Sequence, residues 1–253
     1  MDFLKNLCKT NFNSKILVLT GFIYFLLICS EMIKGVIFDM DGTLSDSETL
    51  NYEVWAELMA EYGIHFSRED YMQFVGGISL PTSQWIVQNN ELPVSVDELA
   101  EERNKRRNQA YDEGKLKPMP FALEAVAYFS SKFPIALATS TGREETLRKL
   151  RLLGLHDSFK AKFCREDVTN RKPDPEIYLK AAAALGLMPS ECIAFEDTLI
   201  GANAAKKAGC LTIAIPNQFT EHLDFSVADH VFPSLQTAVN WFEHEFGPKI
   251  SPR

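Results

Sequence analysis

Acidic, hydroxyl and amine side chains follow, or lie between, several short apolar runs of this 253-residue sequence. In chain order they are Asp39, Asp41, Thr139, Ser140, Lys172, Glu196 and Asp197. Such runs predict buried strands, and ligands of open α/β sheets bind outside the carboxyl ends of the strands. We therefore expect these carboxylates, hydroxyls and the ammonium group to meet at one edge of a sheet.

A divalent cation is expected among the carboxylates. Four acidic groups this close repel one another, and they stay ionised only when positive charge lies between them. Hard cations take oxygen ligands, and Mg²⁺ is the cation best suited to phosphate chemistry. The candidate ligands of this Mg²⁺ are Asp39, Asp41, Glu196 and Asp197.

The remaining groups suit phosphoryl transfer. Lys172 supplies a point charge for a phosphate oxygen, and Thr139 and Ser140 open a predicted helix whose N–H and hydroxyl groups can bind the other oxygens. Asp39, as a carboxylate nucleophile, gives an aspartyl-phosphate that divides the transfer into two easier steps. Asp41 can protonate the leaving oxygen and later activate water.

Each motif by itself also has an ordinary structural explanation. An Asp-x-Asp pair such as Asp39 and Asp41 is common in turns. The segment 139–141 and the pair 196–197 can cap the helices that follow them, and Lys172 with its proline can form a surface turn. The occurrence of all four motifs at strand ends, in this order, favours the functional interpretation.

The elements that carry these motifs alternate between strand and helix. Apolar runs predict buried parallel strands at 34–41, 134–140, 191–197 and 210–217. Helical patterns follow at about 121–131, 143–153, 175–185 and 200–208, and the last three are closed by glycine. Repeated alternation of this kind predicts an open, doubly wound α/β fold.

One segment interrupts the alternation. Residues 47–115 contain amphipathic helical stretches and no convincing strand, which predicts an all-α subdomain inserted after the first strand. The predicted catalytic core then comprises residues 32–46 and 116–253. The polar or Gly/Pro-bearing connections near 45–48 and 114–120 are candidate hinges.

Residues 1–31 differ from the rest of the chain. Lysines precede an apolar run at 16–29 that is short for a membrane span and closer to a signal-peptide core, but it lacks a small-x-small cleavage pattern. Three interpretations are open: translation from Met32, which we favour, a membrane anchor through residues 16–30, and a cleaved signal. We accordingly expect a cytoplasmic protein, with a membrane-anchored one as the alternative.

Composition limits the partners. The formal net charge is −8, which argues against nucleic-acid binding, and the basic stretch 103–107 is expected to be a solvated helix face. Five scattered cysteines, with no Cys-x-x-Cys pair, indicate neither a disulfide framework nor a zinc site. We expect a monomer that acts on a small-molecule phosphate ester.

The four motifs together resemble those of the haloacid dehalogenase-like phosphatase superfamily, above all the subgroup of β-phosphoglucomutase and sugar-phosphate phosphatases. They read FDMDGTLSDSE, ALATST, RKPDPEIY and AFEDTLIGANAAKKAG, and the resemblance extends from Met32 to about Ala214. It implies a Rossmann-like core with a helical cap inserted after the first motif.

By position, the resemblance implies that Asp39 is the nucleophile and a metal ligand. Asp41 corresponds to the general acid/base, whose backbone carbonyl also meets the metal. Thr139 and Lys172 correspond to the phosphate-binding groups, and the two acids of the fourth motif to metal ligands. The dehalogenase branch lacks an acid at the position of Asp41, so its presence favours phosphoryl transfer.

The same resemblance separates phosphatase from mutase. Mutases of this subgroup carry a histidine in the first cap helix and an arginine early in the cap that binds a second phosphate. The matching positions here hold Asn51 and Leu80. A phosphatase needs only one phosphate site and a water, so we favour a phosphatase of a small phosphorylated metabolite over a phosphomutase.

Overall fold

A single parallel sheet organises the computed structural model, which describes residues 33–75 and 81–247. Its six strands run in the order β3-β2-β1-β4-β5-β6. They are β1 (Gly35–Phe38), β2 (Ile135–Ala138), β3 (Ala161–Phe163), β4 (Cys192–Glu196), β5 (Leu211–Ala214) and β6 (His230–Val231). The strand order reverses between β1 and β4, which is where open α/β sheets bind ligands.

Helices lie between the strands and after the last one. Those inserted between β1 and the rest of the sheet are α1 (Ser47–Glu61), α2 (Arg68–Met72), α3 (Thr82–Asn89) and α4 (Val96–Asp112). Those of the strand-helix alternation are α5 (Ala122–Ser130), α6 (Arg143–Leu152), α7 (Glu176–Leu185), α8 (Leu199–Ala208) and α9 (Leu235–Phe246). The predicted α/β class, with an all-helical insertion, is confirmed.

The two faces of the sheet bury separate apolar clusters, which explains why the central strands are apolar at nearly every position. Phe38 of β1 packs on one face, against Phe129 of α5 and Phe195 of β4. Ile37 packs on the other face, in a cluster that includes Tyr178 of α7. Burying large side chains on both faces is the main stabilising term for a sheet of this kind.

The inserted helices have an apolar cluster of their own. Trp55 and Leu58 of α1 pack with Ile86 of α3 and Leu99 of α4, and Phe219, from the segment after β5, joins them. Such a cluster is what a packed helical insertion requires, and Phe219 connects it to the core. The boundaries proposed for it, 47 and 115, stay a prediction.

Several features differ from the sequence-based expectations or lie beyond them. The short strands β3 and β6 and helix α9 were not predicted. The apolar N-terminal segment, residues 1–31, and Leu80 lie outside the described residues. Among the helices that the structure describes, none combines the length and the apolar character that crossing a bilayer requires.

Candidate active site

Three buried carboxylates lie together at the reversal of strand order. Strands β1 and β4 pair with Phe38 opposite Phe195, so Asp39 and Glu196, one position further along, emerge side by side. Oxygens of Asp39, Glu196 and Asp197 lie within 4.8 Å of one another. Glu196 and Asp197 are fully buried, and Asp39 is 7% exposed.

Lys172 joins this cluster from the loop before α7. Its Nζ donates to Asp39 Oδ1 and to Glu196 Oε1, each at 2.6 Å, and to the carbonyl of Ala138 at 3.0 Å. Although burial by itself lowers the pKa of this ammonium group, the two carboxylates raise it above its usual value. Lys172 is therefore a permanent positive charge beside Asp39.

Asp197 is held by groups from two loops. The hydroxyl of Thr43 donates to its Oδ1 at 3.3 Å, and Nδ2 of Asn217 donates to its Oδ2 at 2.8 Å. Gly42 lets the loop after β1 approach this closely, because a Cβ at that position would lie 1.9 Å from Asp197 Oδ2. The carboxylate is thereby fixed in its orientation toward Asp39 and Glu196.

The cluster has more negative charge than one lysine can balance. Burial, opposed by Lys172 and reinforced by Glu196, raises the pKa of Asp39 to about 8. Burial and the charge of Asp39 raise the pKa of Asp197 well above its usual value. A divalent cation among these oxygens would offset the repulsion between the buried carboxylates. Carboxylate oxygens are the ligands that hard cations prefer. The residues present fit such a cation.

The side chain of Asp41 is directed into a different set of partners. Its Oδ1 accepts from Lys149 Nζ at 2.5 Å and Ser47 Oγ at 2.6 Å, and its Oδ2 accepts from Thr141 Oγ1 at 2.5 Å. Although burial raises its pKa, the Lys149 ammonium and these hydrogen bonds lower the pKa of Asp41 to about 2. Asp41 is thus an ionised carboxylate in this arrangement. Its assignment as a metal ligand, through its backbone carbonyl, stays a prediction.

The second motif follows β2. Thr139 is buried, and its hydroxyl accepts from the backbone N–H of Thr141 at 3.0 Å. Ser140 is exposed at the beginning of the loop that leads to α6. Because Lys172 donates to the carbonyl of Ala138, the residue before Thr139, this loop lies directly beside Lys172 and Asp39.

Two buried side chains of this site escaped the sequence-based prediction. Lys149 of α6 is 2% exposed and binds Asp41. Its helix buries Thr146, Lys149 and Leu150. The position of Lys149 on this apolar stripe was the sequence signal that its side chain is buried. Tyr178 belongs to the third motif, RKPDPEIY, and its hydroxyl donates to Glu196 Oε1.

The inserted helices place further polar groups near Asp41. Glu48 of α1 accepts from the hydroxyl of Tyr71 at 2.6 Å, and burial raises the pKa of its carboxyl group.

The expectation of a solvated face for 103–107 is wrong for part of the stretch. Arg103 covers the Trp55 ring at 5.5 Å, and Arg107 pairs with Glu145 at 3.2 Å. These two arginines face the core because they lie one turn apart on the same side of α4.

Gly42→Ala should lower the free energy of unfolding by more than Gly63→Ala does. Both glycines have positive φ, +80° and +69°, but the added methyl of the second meets open space. A left-handed backbone costs a non-glycine residue about 1–2 kcal/mol, so both variants lose that much. Only the Gly42 variant must also displace Asp197. Urea unfolding of the two proteins measures the difference, and equal losses would contradict the close approach.

Comparison with known proteins identifies a family match over most of the chain. The profile of the haloacid dehalogenase-like hydrolase family matches residues 36–215. The phosphorylated carbohydrates phosphatase of Thermotoga maritima is 33% identical over 177 residues, 70% of this chain and 82% of that protein. The fructose-1-phosphate phosphatase YqaB of Escherichia coli is 29% identical over 180 residues, 71% of this chain and 94% of that protein.

Solved structures agree with the fold. A haloacid dehalogenase family hydrolase from Deinococcus radiodurans, with bound phosphate and sodium, superposes with a TM-score of 0.73 at 25% identity. The match covers 88% of this chain and 99% of that one. The chain belongs to the haloacid dehalogenase-like hydrolase family, as its four motifs predicted. Its relatives include named phosphatases of phosphorylated sugars, so it falls in the phosphatase and phosphomutase subgroup.

Proposed function

We propose that this protein is a Mg²⁺-dependent phosphatase that hydrolyses a small phosphorylated metabolite through an aspartyl-phosphate on Asp39. The observation that carries the proposal is the contact of Asp39 with Lys172 inside a buried cluster of acids. A carboxylate beside a fixed ammonium group suits attack on a phosphate ester, because the ammonium group attracts the phosphate oxygens to the nucleophile.

In the first step, a carboxylate oxygen of Asp39 forms a bond to phosphorus, and the bond from phosphorus to the leaving oxygen breaks. The alcohol departs with a proton from Asp41. Lys172 and the loop at Thr139 and Ser140 bind the phosphoryl oxygens during this exchange. Since Asp41 is ionised beside Lys149, this step requires Asp41 to take up a proton as substrate enters.

In the second step, water attacks the phosphorus of the aspartyl-phosphate. Asp41, again a carboxylate, accepts the proton of the water, and the bond from phosphorus to Asp39 breaks. Inorganic phosphate and free Asp39 result. The ionised form of Asp41, which Lys149 and Thr141 stabilise, is the form that this step needs.

Asp39, Glu196 and Asp197 would hold the cation, together with the Asp41 carbonyl. Bound Mg²⁺ would neutralise charge that develops on the phosphoryl oxygens. The protein's own contribution is to keep these carboxylates close, dry and oriented, as the contacts of Asp197 with Thr43 and Asn217 do.

Substrate selection is proposed to fall to the inserted helices. Glu48 lies near Asp41 and Lys149 and close to Arg103, so it and its neighbours on α1 and α4 are placed to meet the leaving group. A sugar phosphate, or a similar phosphomonoester, is the proposed substrate class. Movement of these helices would admit substrate and release product. Action as a monomer in the cytoplasm is part of the same proposal and rests on the sequence.

The alternative, a phosphomutase, is less favoured. Asn51 replaces the histidine that mutases of the subgroup carry. A mutase would convert one sugar phosphate into another and release little inorganic phosphate. Inorganic phosphate as the product indicates a phosphatase, and a second sugar phosphate as the product indicates a mutase.

Removal of divalent cations should abolish turnover. A screen of phosphomonoesters for phosphate release, after dialysis against EDTA, should show no activity above background, because the buried carboxylates then repel the substrate phosphate. Addition of Mg²⁺ should restore it. Full activity without divalent cations would refute the metal-dependent mechanism, and sugar-phosphate interconversion without free phosphate would favour the mutase.

A further inference from the structure

Tyr178 is a buried polar residue for which the proposed mechanism has no use. It lies in the first turn of α7, is fully buried, and belongs to the apolar cluster beneath the sheet with Ile37, Ala181 and Ala194. Phenylalanine would fill this position as well. A hydroxyl placed in such surroundings is costly unless it finds a partner.

The partner is the carboxylate of Glu196. The Tyr178 hydroxyl donates to Glu196 Oε1, the same oxygen that accepts from Lys172 Nζ at 2.6 Å. From the described residues, the other oxygen, Oε2, accepts only a long hydrogen bond, 3.3 Å, from Thr198 Oγ1. The orientation of this carboxylate therefore depends chiefly on the two donors at Oε1.

Those two donors differ in what else they do. Lys172 is shared, since its Nζ also binds Asp39, and in the proposed function it binds the substrate phosphate. The phenol of Tyr178 is committed to Glu196, and its ring lies 5.0 Å from Lys172 Nζ. When Lys172 turns toward a phosphate, Tyr178 is the strong donor that remains on Glu196.

We propose that Tyr178 is a positioning residue for the metal site: its hydroxyl keeps Glu196 in the orientation that places this carboxylate beside Asp39 and Asp197. The proposal rests on the proposed function only in taking these acids as the cation's ligands. Groups that orient a metal-binding side chain typically contribute a factor of about 10–100 to metal affinity.

Tyr178→Phe removes the hydroxyl and keeps the ring. We expect isothermal titration of the substrate-free protein to show Mg²⁺ binding weakened by about 10–100-fold. In phosphate-release assays, the Mg²⁺ concentration at half-maximal rate should rise by the same factor. Turnover at saturating Mg²⁺ should return close to that of the wild type, because Tyr178 does not touch the reacting atoms.

The matched control is Tyr128→Phe. The Tyr128 hydroxyl is buried and has no hydrogen-bond partner among the described residues, so its removal is the same chemical change without the loss of a positioning contact. It should leave Mg²⁺ affinity unchanged. The rise in Tm on adding Mg²⁺ should be smaller for Tyr178→Phe than for the wild type and Tyr128→Phe. The same thermal unfolding measurements show whether both variants are folded.

Equal Mg²⁺ affinity in the wild type and Tyr178→Phe would overturn the proposal. So would an equal weakening in both variants, which would indicate a general effect on the core. Because the titration contains no substrate, the measured Mg²⁺ affinities do not depend on whether the protein is a phosphatase. A wild type that binds Mg²⁺ but releases no phosphate from any ester would refute the proposed function and leave the role of Tyr178 decided by the titration.

Discussion

Asp39→Asn should reduce phosphate release by about 10⁴-fold or more, the scale of loss seen when a catalytic nucleophile is removed. The amide is nearly the same size as the carboxylate, but it is a poor nucleophile. It can still accept a hydrogen bond from Lys172, which contacts Asp39 at 2.6 Å. The variant should therefore stay folded while it loses turnover at every substrate concentration.

Asp157→Asn is the matched control for this change. The Asp157 side chain is 99% exposed and lies 2.9 Å from Nδ1 of its neighbour His156, so the same substitution there should leave the rate unchanged. Circular dichroism and thermal unfolding establish that both variants are folded. A folded Asp39→Asn protein with activity near that of the wild type would refute a covalent mechanism at Asp39.

Asp41→Asn should lower turnover of alkyl phosphates by about 10²–10⁴-fold, the usual contribution of general acid–base catalysis. The amide can neither protonate the leaving alcohol nor accept a proton from water. Its loss also leaves Lys149, 3% exposed at its side chain, without the carboxylate that it contacts at 2.5 Å. Some loss of stability should accompany the loss of rate, because the buried ammonium group loses its nearer carboxylate and keeps Glu145, at 3.2 Å.

Substrates with different leaving groups separate the two roles of Asp41, which are general acid in the first step and general base in the second. Nitrophenolate departs without protonation, so the first step on p-nitrophenyl phosphate should survive in Asp41→Asn while hydrolysis of the aspartyl-phosphate slows. Stopped-flow absorbance should then record a burst of about one nitrophenolate per active site. If the variant retains wild-type turnover on alkyl phosphates, Asp41 is not the acid/base.

The sequence predicted those parts of the fold that depend on local pattern. Strands β1 and β4 are apolar at nearly every position because both faces are covered, and that is visible in the sequence. Strand β3 has the residues Ala-Lys-Phe, all half-buried, and β6 has only two residues. Both are defined by hydrogen bonds to a neighbouring strand, so a short apolar run does not mark them.

The site was predictable to the extent that its residues follow strands. Asp39, Glu196 and Asp197 converge because parallel strands end at one edge of the sheet. Lys149 was not predictable in the same way, because it contacts a carboxylate 108 positions away, and only the packing of α6 brings the two together. In sequence, the position of Lys149 on the apolar stripe of α6 indicates that it is buried but does not identify the carboxylate that it binds.

The arginines of α4 show that charge patterning does not reveal which charged side chains are partly buried. Charge patterning alone predicted a solvated face for 103–107, which holds for Lys105, whose side chain is 77% exposed. Arg103 and Arg107 instead pack against Trp55 and Tyr111. Arginine stems and guanidinium planes cover aromatic rings readily, and the composition of a segment does not reveal which of its cations do so.

Trapping the phosphoryl group is the most direct test of the central claim, the aspartyl-phosphate on Asp39. Asp41→Asn protein with Mg²⁺ and p-nitrophenyl phosphate, quenched in acid during the burst, would be digested and analysed by mass spectrometry. We predict one phosphoryl group on the peptide that contains Asp39, removable by hydroxylamine. A burst of nitrophenolate with that peptide unmodified, or with the phosphoryl group on another residue, would contradict the account.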